Sequence, residues 1–280
     1  MRFQATALLR VLTSVAGLAI LLHSPASVQA AGGIPPDMEN ARARLNESPR
    51  HGEWAEIKDG DDTISAWVVY PERPDKAPVV VIVHTVAGLT DWIRAVADQL
   101  ASEGFIAVAP DLLSGKGPGG ANTPAERDAA AKLVRSLDSA EVMRRLSAAA
   151  RYGASLPAAT GEFGCVGYCW GGGICFDMAT EHRDLDAAVV YYGRSSSTAS
   201  LQRIQAPVLG LYGGSDARIN ETIPQAEAEL SRLGKPFEKH IYEGAGHGFL
   251  ERQSGQDGAN LKASQQAWPR TIEFLKENLE

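Results

Sequence analysis

Short apolar blocks recur along the chain from residue 54 onward, separated by polar, Gly- and Pro-containing stretches. Strand-forming residues concentrate at 54–57, 63–70, 79–84, 106–109, 161–167, 187–191, 208–212 and 237–242. The 63–70 block partly alternates, as an edge strand with one wet face does. Val79-Val80-Val81-Ile82-Val83 does not alternate at all, and a continuous β-branched run is what a central parallel strand covered on both faces requires. Helical patterns fall between these blocks at 91–103, 123–137, 170–181, 224–233 and 265–279. Thr123 and Pro124 supply an N-cap and a first-turn Pro, and Asp138-Ser139-Ala140-Glu141 supplies a capping box for a further helix. Alternating strands and helices predict an α/β architecture, with a mainly parallel central sheet of about eight strands and helices on both faces. No repeat or long linker divides residues 51–280, which read as a single domain. Residues 31–50 are polar and contain Pro, and read as a mobile or surface-wrapping lead-in.

The first thirty residues follow a different pattern. Arg2 and Arg10 precede an apolar stretch over residues 11–22, no acidic residue occurs, and Val28-Gln29-Ala30 is a small-x-small exit. The apolar stretch is shorter than the roughly 20 residues needed to span a bilayer. The pattern is that of a secretory signal peptide over residues 1–30, which makes the expected location periplasmic or secreted.

The net charge of −7 disfavours nucleic acid and anionic membranes as partners, since both require clustered Lys and Arg. Three cysteines lie close together: Cys165, Cys169 and Cys175. An oxidising compartment permits one disulfide among them and leaves a thiol free. For Cys165, in a strand, and Cys175, in the following helix, the simpler expectation is that each is a small buried apolar side chain.

Cys169 stands apart because of its neighbours. Gly167-Tyr168-Cys169-Trp170-Gly171 is a G-x-C-x-G nucleophile elbow, placed between a strand and a helix. A strand that turns directly into a helix crowds the positions two before and two after the nucleophile, which explains the glycines. The helix N-terminus favours thiolate over thiol. Asp216 follows the 208–212 strand, and His247 sits in Gly246-His247-Gly248 after the 237–242 strand. The order nucleophile, acid, histidine, each beyond a strand end, is the one this architecture uses for a triad. In that arrangement His247 activates the thiol and Asp216 fixes its tautomer.

These residues carry a family resemblance. Gly167-Tyr168-Cys169-Trp170-Gly171-Gly172, Gly213-Gly214-Ser215-Asp216 and Ala245-Gly246-His247-Gly248-Phe249 resemble the dienelactone hydrolase (carboxymethylenebutenolidase) family. The resemblance implies an α/β-hydrolase fold and a Cys169-His247-Asp216 triad. It also implies an oxyanion hole from the backbone of Val86 and Trp170, a small-molecule lactone or activated ester as substrate, an acyl-enzyme, and no cofactor. Two positions depart from the family pattern. Thr85 stands where family lactonases carry a Glu that holds the thiol dormant. A hydroxyl neither accepts the thiol proton nor repels a thiolate, so Cys169 is expected either to rest as a thiolate–imidazolium pair with His247 or to be tuned by His84. Glu251 stands where such enzymes carry a substrate-binding Arg, with Arg252 next to it as a possible substitute. His84, Thr85, Tyr192 and Arg252 are therefore candidate substrate contacts.

No His or Cys spacing suggests zinc. The segment 115–120 lacks the spacing of a phosphate loop. The alternative to a hydrolase is an exported, non-catalytic binding protein or thiol sensor on the same fold. The sequence leaves the natural substrate and the oligomeric state open.

Overall fold

The computed structural model describes Met1 and residues 33–280; residues 2–30 of the segment read as an export signal lie outside the described residues. An eight-stranded sheet forms the centre, with strand order β1-β2-β4-β3-β5-β6-β7-β8. The strands are β1 (Gly52–Asp59), β2 (Asp62–Val69), β3 (Ala77–Val83), β4 (Ile106–Pro110), β5 (Ala159–Tyr168), β6 (Ala187–Tyr191), β7 (Val208–Gly213) and β8 (Phe237–Tyr242). β1 and β2 form an antiparallel hairpin, β2 pairs antiparallel with β4, and all remaining pairs are parallel. This is the α/β-hydrolase fold.

Strand β3 explains the arrangement of layers. Val79, Val81 and Val83 point into one core while Val80 and Ile82 point into the other, so no position on the strand can be polar. The first core is closed by α4 (Ser139–Ser155), α5 (Trp170–Glu181) and α8 (Ile223–Arg232). The second is closed by α1 (Ala41–Glu47), α2 (Asp91–Ser102) and α9 (Ala259–Leu279). A satellite core of Leu113, Ala130 and Val134 seats α3 (Arg127–Ser136) against Val86 and Trp170. Two one-turn helices, α6 (Thr198–Leu201) and α7 (Ala217–Asn220), follow β6 and β7.

Several expectations change. The 63–70 strand is not at the edge: β1 covers it, because the Asp59–Asp62 turn, with Gly60 at φ 62°, folds β1 back along it. Thr123 does not cap α3, which starts at Arg127. Its hydroxyl donates to Asp111 Oδ1 (2.6 Å) and accepts from the Leu89 N–H (3.1 Å), since a buried carboxylate offers a stronger partner than a helix end. Asp138, by contrast, caps α4 by accepting from the N–H groups of Ala140 and Glu141.

The lead-in wraps the surface. Trp92 Nε1 donates to the Pro36 carbonyl, Gln253 Nε2 donates to Pro35, and Arg50 forms a fork with the buried Asp98. Cys165 and Cys175 are not two separate thiols. They form a disulfide (S–S 2.04 Å, Cα–Cα 6.1 Å) that ties β5 to α5.

Candidate active site

Cys169 is the single residue between β5 and α5, at φ 58°, ψ −115°, a strained conformation for a side-chain-bearing residue. Its glycines are required by close approach. A Cβ on Gly167 would stand 2.0 Å from the Gly171 carbonyl oxygen, and one on Gly171 would stand 2.3 Å from that of Val83. The second contact draws the start of α5 against the end of β3, which brings the Val86 loop alongside the elbow. The carbonyl oxygen of Tyr191 accepts from the Cys169 N–H and fixes the corner to β6.

Asp216 follows β7 and His247 follows β8, so all three side chains rise from the carboxyl ends of parallel strands. The fold brings them together. His247 Nε2 stands 3.0 Å from Cys169 Sγ, and Nδ1 stands 2.5 Å from Asp216 Oδ2. The imidazole rests edge-on against Tyr192, with ring centroids 5.2 Å apart.

Burial pushes the Cys169 thiol up. The hydrogen bond and charge of His247 and the Trp170 N–H outweigh it, and the thiol ends below its ordinary value. Burial alone would depress His247, yet its bonds and charges with Cys169 and Asp216 hold it above its ordinary value. Both shifts favour a thiolate–imidazolium pair. Trp170 N–H thus points at the sulfur, and the Val86 N–H donates to no backbone carbonyl among the described residues. These are two donors of the kind that stabilise a developing oxyanion.

The remaining candidates are placed differently. His84 is fully buried: Nε2 accepts from the Leu112 N–H, so Nδ1 carries the proton and donates to the Thr85 carbonyl. Burial, opposed by the Asp111 charge, lowers its pKa; the ring stacks on Trp170 at 5.7 Å, holding the wall behind the site as a neutral group. Thr85 is also buried, and its hydroxyl accepts from the Ala87 N–H, which shapes the Val86 loop. Tyr192 (φ 40°) is fully buried beneath His247, a support for the imidazole rather than a substrate contact. Arg252 is exposed and does not line the cavity at Cys169.

A buried carboxylate acts on the site through its charge. Glu251 is only 4% exposed, pairs loosely with Arg127 (3.8 Å), and its charge raises both the Cys169 thiol and the Tyr192 hydroxyl.

Beside Cys169 lies a cavity of about 350 Å³ walled by Val86, Arg135, Cys169, Trp170, Ile174, Arg194, Arg218 and Ile219. Its three arginines carry no motif and are invisible in the sequence. Among the described residues no cluster of His, Cys, Asp and Glu is arranged to hold a metal.

The model of the dienelactone hydrolase family matches residues 64–279. The chain belongs to the dienelactone hydrolase family. Among its curated relatives, a carboxymethylenebutenolidase of Pseudomonas putida is 32% identical over 218 residues, covering 76% of this chain and 91% of the relative. Carboxymethylenebutenolidase 1 of Cupriavidus pinatubonensis is 33% identical over 207 residues, covering 72% and 86%. Solved structures share the fold. A dienelactone hydrolase-like promiscuous phosphotriesterase from metagenomic libraries has TM-score 0.70 at 23% identity, covering 82% of this chain and 99% of that one. A dienelactone hydrolase from Anabaena variabilis has TM-score 0.63 at 21% identity, covering 82% and 99%. The chain is thus a carboxymethylenebutenolidase-like hydrolase, and membership in this hydrolase family implies a small-molecule substrate.

Proposed function

We propose that this family member hydrolyses a lactone or activated carboxylic ester through a Cys169-His247-Asp216 triad and an acyl-enzyme. The observation that carries this reading is the continuous hydrogen-bonded line from Asp216 through His247 to a sulfur that Trp170 N–H also faces. In the first half-reaction the Cys169 thiolate attacks the carbonyl carbon, and the Val86 and Trp170 N–H groups receive the oxyanion. The C–O bond then breaks as imidazolium Nε2 gives its proton to the departing oxygen, leaving the acyl group on sulfur. For a lactone the leaving hydroxyl stays tethered to that acyl group. In the second half, neutral His247 takes a proton from water, the hydroxide attacks the thioester, and the thiolate leaves. Asp216 steadies the imidazolium throughout.

Hydrolysis of p-nitrophenyl acetate by the purified protein, compared with Cys169→Ala, tests the reading. A loss of at least about a thousandfold in kcat/KM is expected. Equal rates would replace it with a binding or sensing role.

The reading extends to location. A disulfide in a chain with this N-terminal sequence fits an oxidising compartment, which supports export to the periplasm or beyond. Cell fractionation with N-terminal sequencing checks it: a mature chain starting at Ala31 is expected, and an intact Met1 in the cytoplasm would oppose it.

A further inference from the structure

His247 has to meet two partners at once, Cys169 Sγ at 3.0 Å from Nε2 and Asp216 Oδ2 at 2.5 Å from Nδ1, so its backbone has little room to drift. Yet it belongs to no helix or strand. On one side its segment is tied to the acid through the backbone: the Ser215 N–H, next to Asp216, donates to the Ala245 carbonyl (2.9 Å). From Gly246 onward the anchor is one carboxamide. Asn260 Oδ1 accepts from the Gly246 N–H (2.9 Å), and Asn260 Nδ2 donates to the Arg252 carbonyl (2.7 Å). Gly246 immediately precedes His247 and Arg252 follows it by five residues, so a single side chain holds both ends of the turn that presents the imidazole. An amide suits this task because it carries an acceptor and a donor on one plane, whereas an ionised carboxylate only accepts. Asn260 is 3% exposed, which leaves little water to replace either bond.

The backbone is strained on the way to this contact. Gln256 (φ 55°), Asp257 (φ 49°) and Gly258 (φ 88°) are left-handed in succession immediately before α9, whose second residue is Asn260. Two of the three bear side chains, for which that conformation is unfavourable. The same turn lays the Gln256 side chain against Gly246, where a Cβ would stand 3.0 Å from its Nε2. Strain of this kind persists where surrounding contacts over-determine it, and here the Asn260 and Gln256 contacts both fall on the residue before His247.

We propose that Asn260 is a positioning residue for His247: its carboxamide fixes the turn from Gly246 to Arg252 so that the imidazole meets Cys169 and Asp216 together. The proposal rests on the triad reading above and deepens it. Asn260 bonds to the backbone on either side of His247 and acts only through it. Misplacing a catalytic group by about 1 Å costs up to about a hundredfold in rate, so losing the clamp lowers kcat and leaves KM nearly as it was. It also withdraws the imidazole that holds the thiol below its ordinary value, so the thiol rises.

Two readouts on the purified protein test this: hydrolysis of p-nitrophenyl acetate, and the pH profile of Cys169 alkylation by iodoacetamide, which needs no substrate. For Asn260→Ala, kcat is expected to fall at least about tenfold with KM within about twofold, and the acidic limb of the alkylation profile to move to higher pH. Asn260→Asp keeps an acceptor for the Gly246 N–H, and its protonated form can also donate to the Arg252 carbonyl. It should recover part of kcat, and its rate relative to the parent should fall as pH rises and the carboxyl ionises. Leu230→Ala truncates a buried side chain on α8 and should lower Tm while keeping the parent kcat and alkylation profile. Parent-like kcat and alkylation in Asn260→Ala would overturn the proposal. So would Leu230→Ala shifting both readouts as far, since they would then report lost stability alone. If Asn260→Ala does not fold, Asn260→Asp decides: a rate equal to the parent's at every pH would overturn the proposal. A parent no faster than Cys169→Ala would remove the triad reading itself, and this proposal with it.

Discussion

Cys165 and Cys175 join strand β5 to helix α5 across the turn between them, closing a loop that contains Cys169. The bond fixes the strand that enters the elbow to the helix that leaves it, and both sulfurs lie in the core. Tying chain segments this close removes about 2–3 kcal/mol of unfolded-state freedom in the loop-entropy account. The variant Cys165→Ala/Cys175→Ala is therefore expected to lose about that much stability, or roughly 5–10 °C in Tm for a domain of this size. Thermal unfolding of both proteins, without reductant, measures it. An unchanged Tm would show that the bond adds nothing to the packing of β5 on α5.

Gly171 sets how near the start of α5 comes to the end of β3. A methyl group there would press on the carbonyl oxygens of Val83 and His84, at 2.3 and 2.4 Å, and both are backbone atoms that cannot step aside. Gly171→Ala is expected to cost more than about 3 kcal/mol, or to give no soluble protein. Soluble expression and urea unfolding report it. A variant within about 0.5 kcal/mol of the parent would contradict the close approach.

The state of the thiol follows from the two pKa shifts. Cys169 is lowered, so the ion pair is lost as pH falls through the thiol's folded value. His247 is raised, so the pair is lost again as pH rises through the imidazole's folded value. Between those limits Cys169 should react with iodoacetamide at a steady rate, well below the pH at which a free thiol of pKa about 8.5 ionises. An alkylation profile rising only near that pH would contradict the pair. Because the Glu251 charge raises the thiol, Glu251→Gln is expected to move the acidic limb of the profile to lower pH. Movement the other way would show that Glu251 acts through the fold and not through its charge.

Asp216 is tested by its amide. Asp216→Asn preserves shape but can present N–H to Nδ1, which reverses the tautomer that His247 needs. A fall in kcat of about 10³–10⁴ is expected, with unfolding unchanged within about 1 kcal/mol. Retention of more than about a tenth of the parent rate would remove Asp216 from the machinery.

What the sequence reveals and what it hides have physical causes. The uninterrupted Val79–Val83 run and the Gly-flanked Cys169 constrain the backbone directly, so β3, α5 and the sharp turn between strand and helix can be read from local chemistry. Thr123 misleads because it has two possible partners, a helix end nearby and the Asp111 carboxylate from the β4 end, and only the fold supplies the second. His84 and Tyr192 each follow a strand, where a shift of one residue decides whether a side chain faces a ligand or the core, and both are fully buried. Arg135, Arg194 and Arg218 lie on three separate segments with no common spacing. Glu251 reads as a lost arginine in the sequence, and its burial against Arg127 appears only in three dimensions.

Acyl transfer to sulfur has a direct signature. With a slowly deacylating aryl ester such as p-nitrophenyl pivalate, the protein should release a burst of nitrophenol equal to the enzyme present. Acid quenching followed by peptide mass spectrometry should then find the pivaloyl group on Cys169. A burst without a modified Cys169, or the acyl group on another residue, would contradict the account.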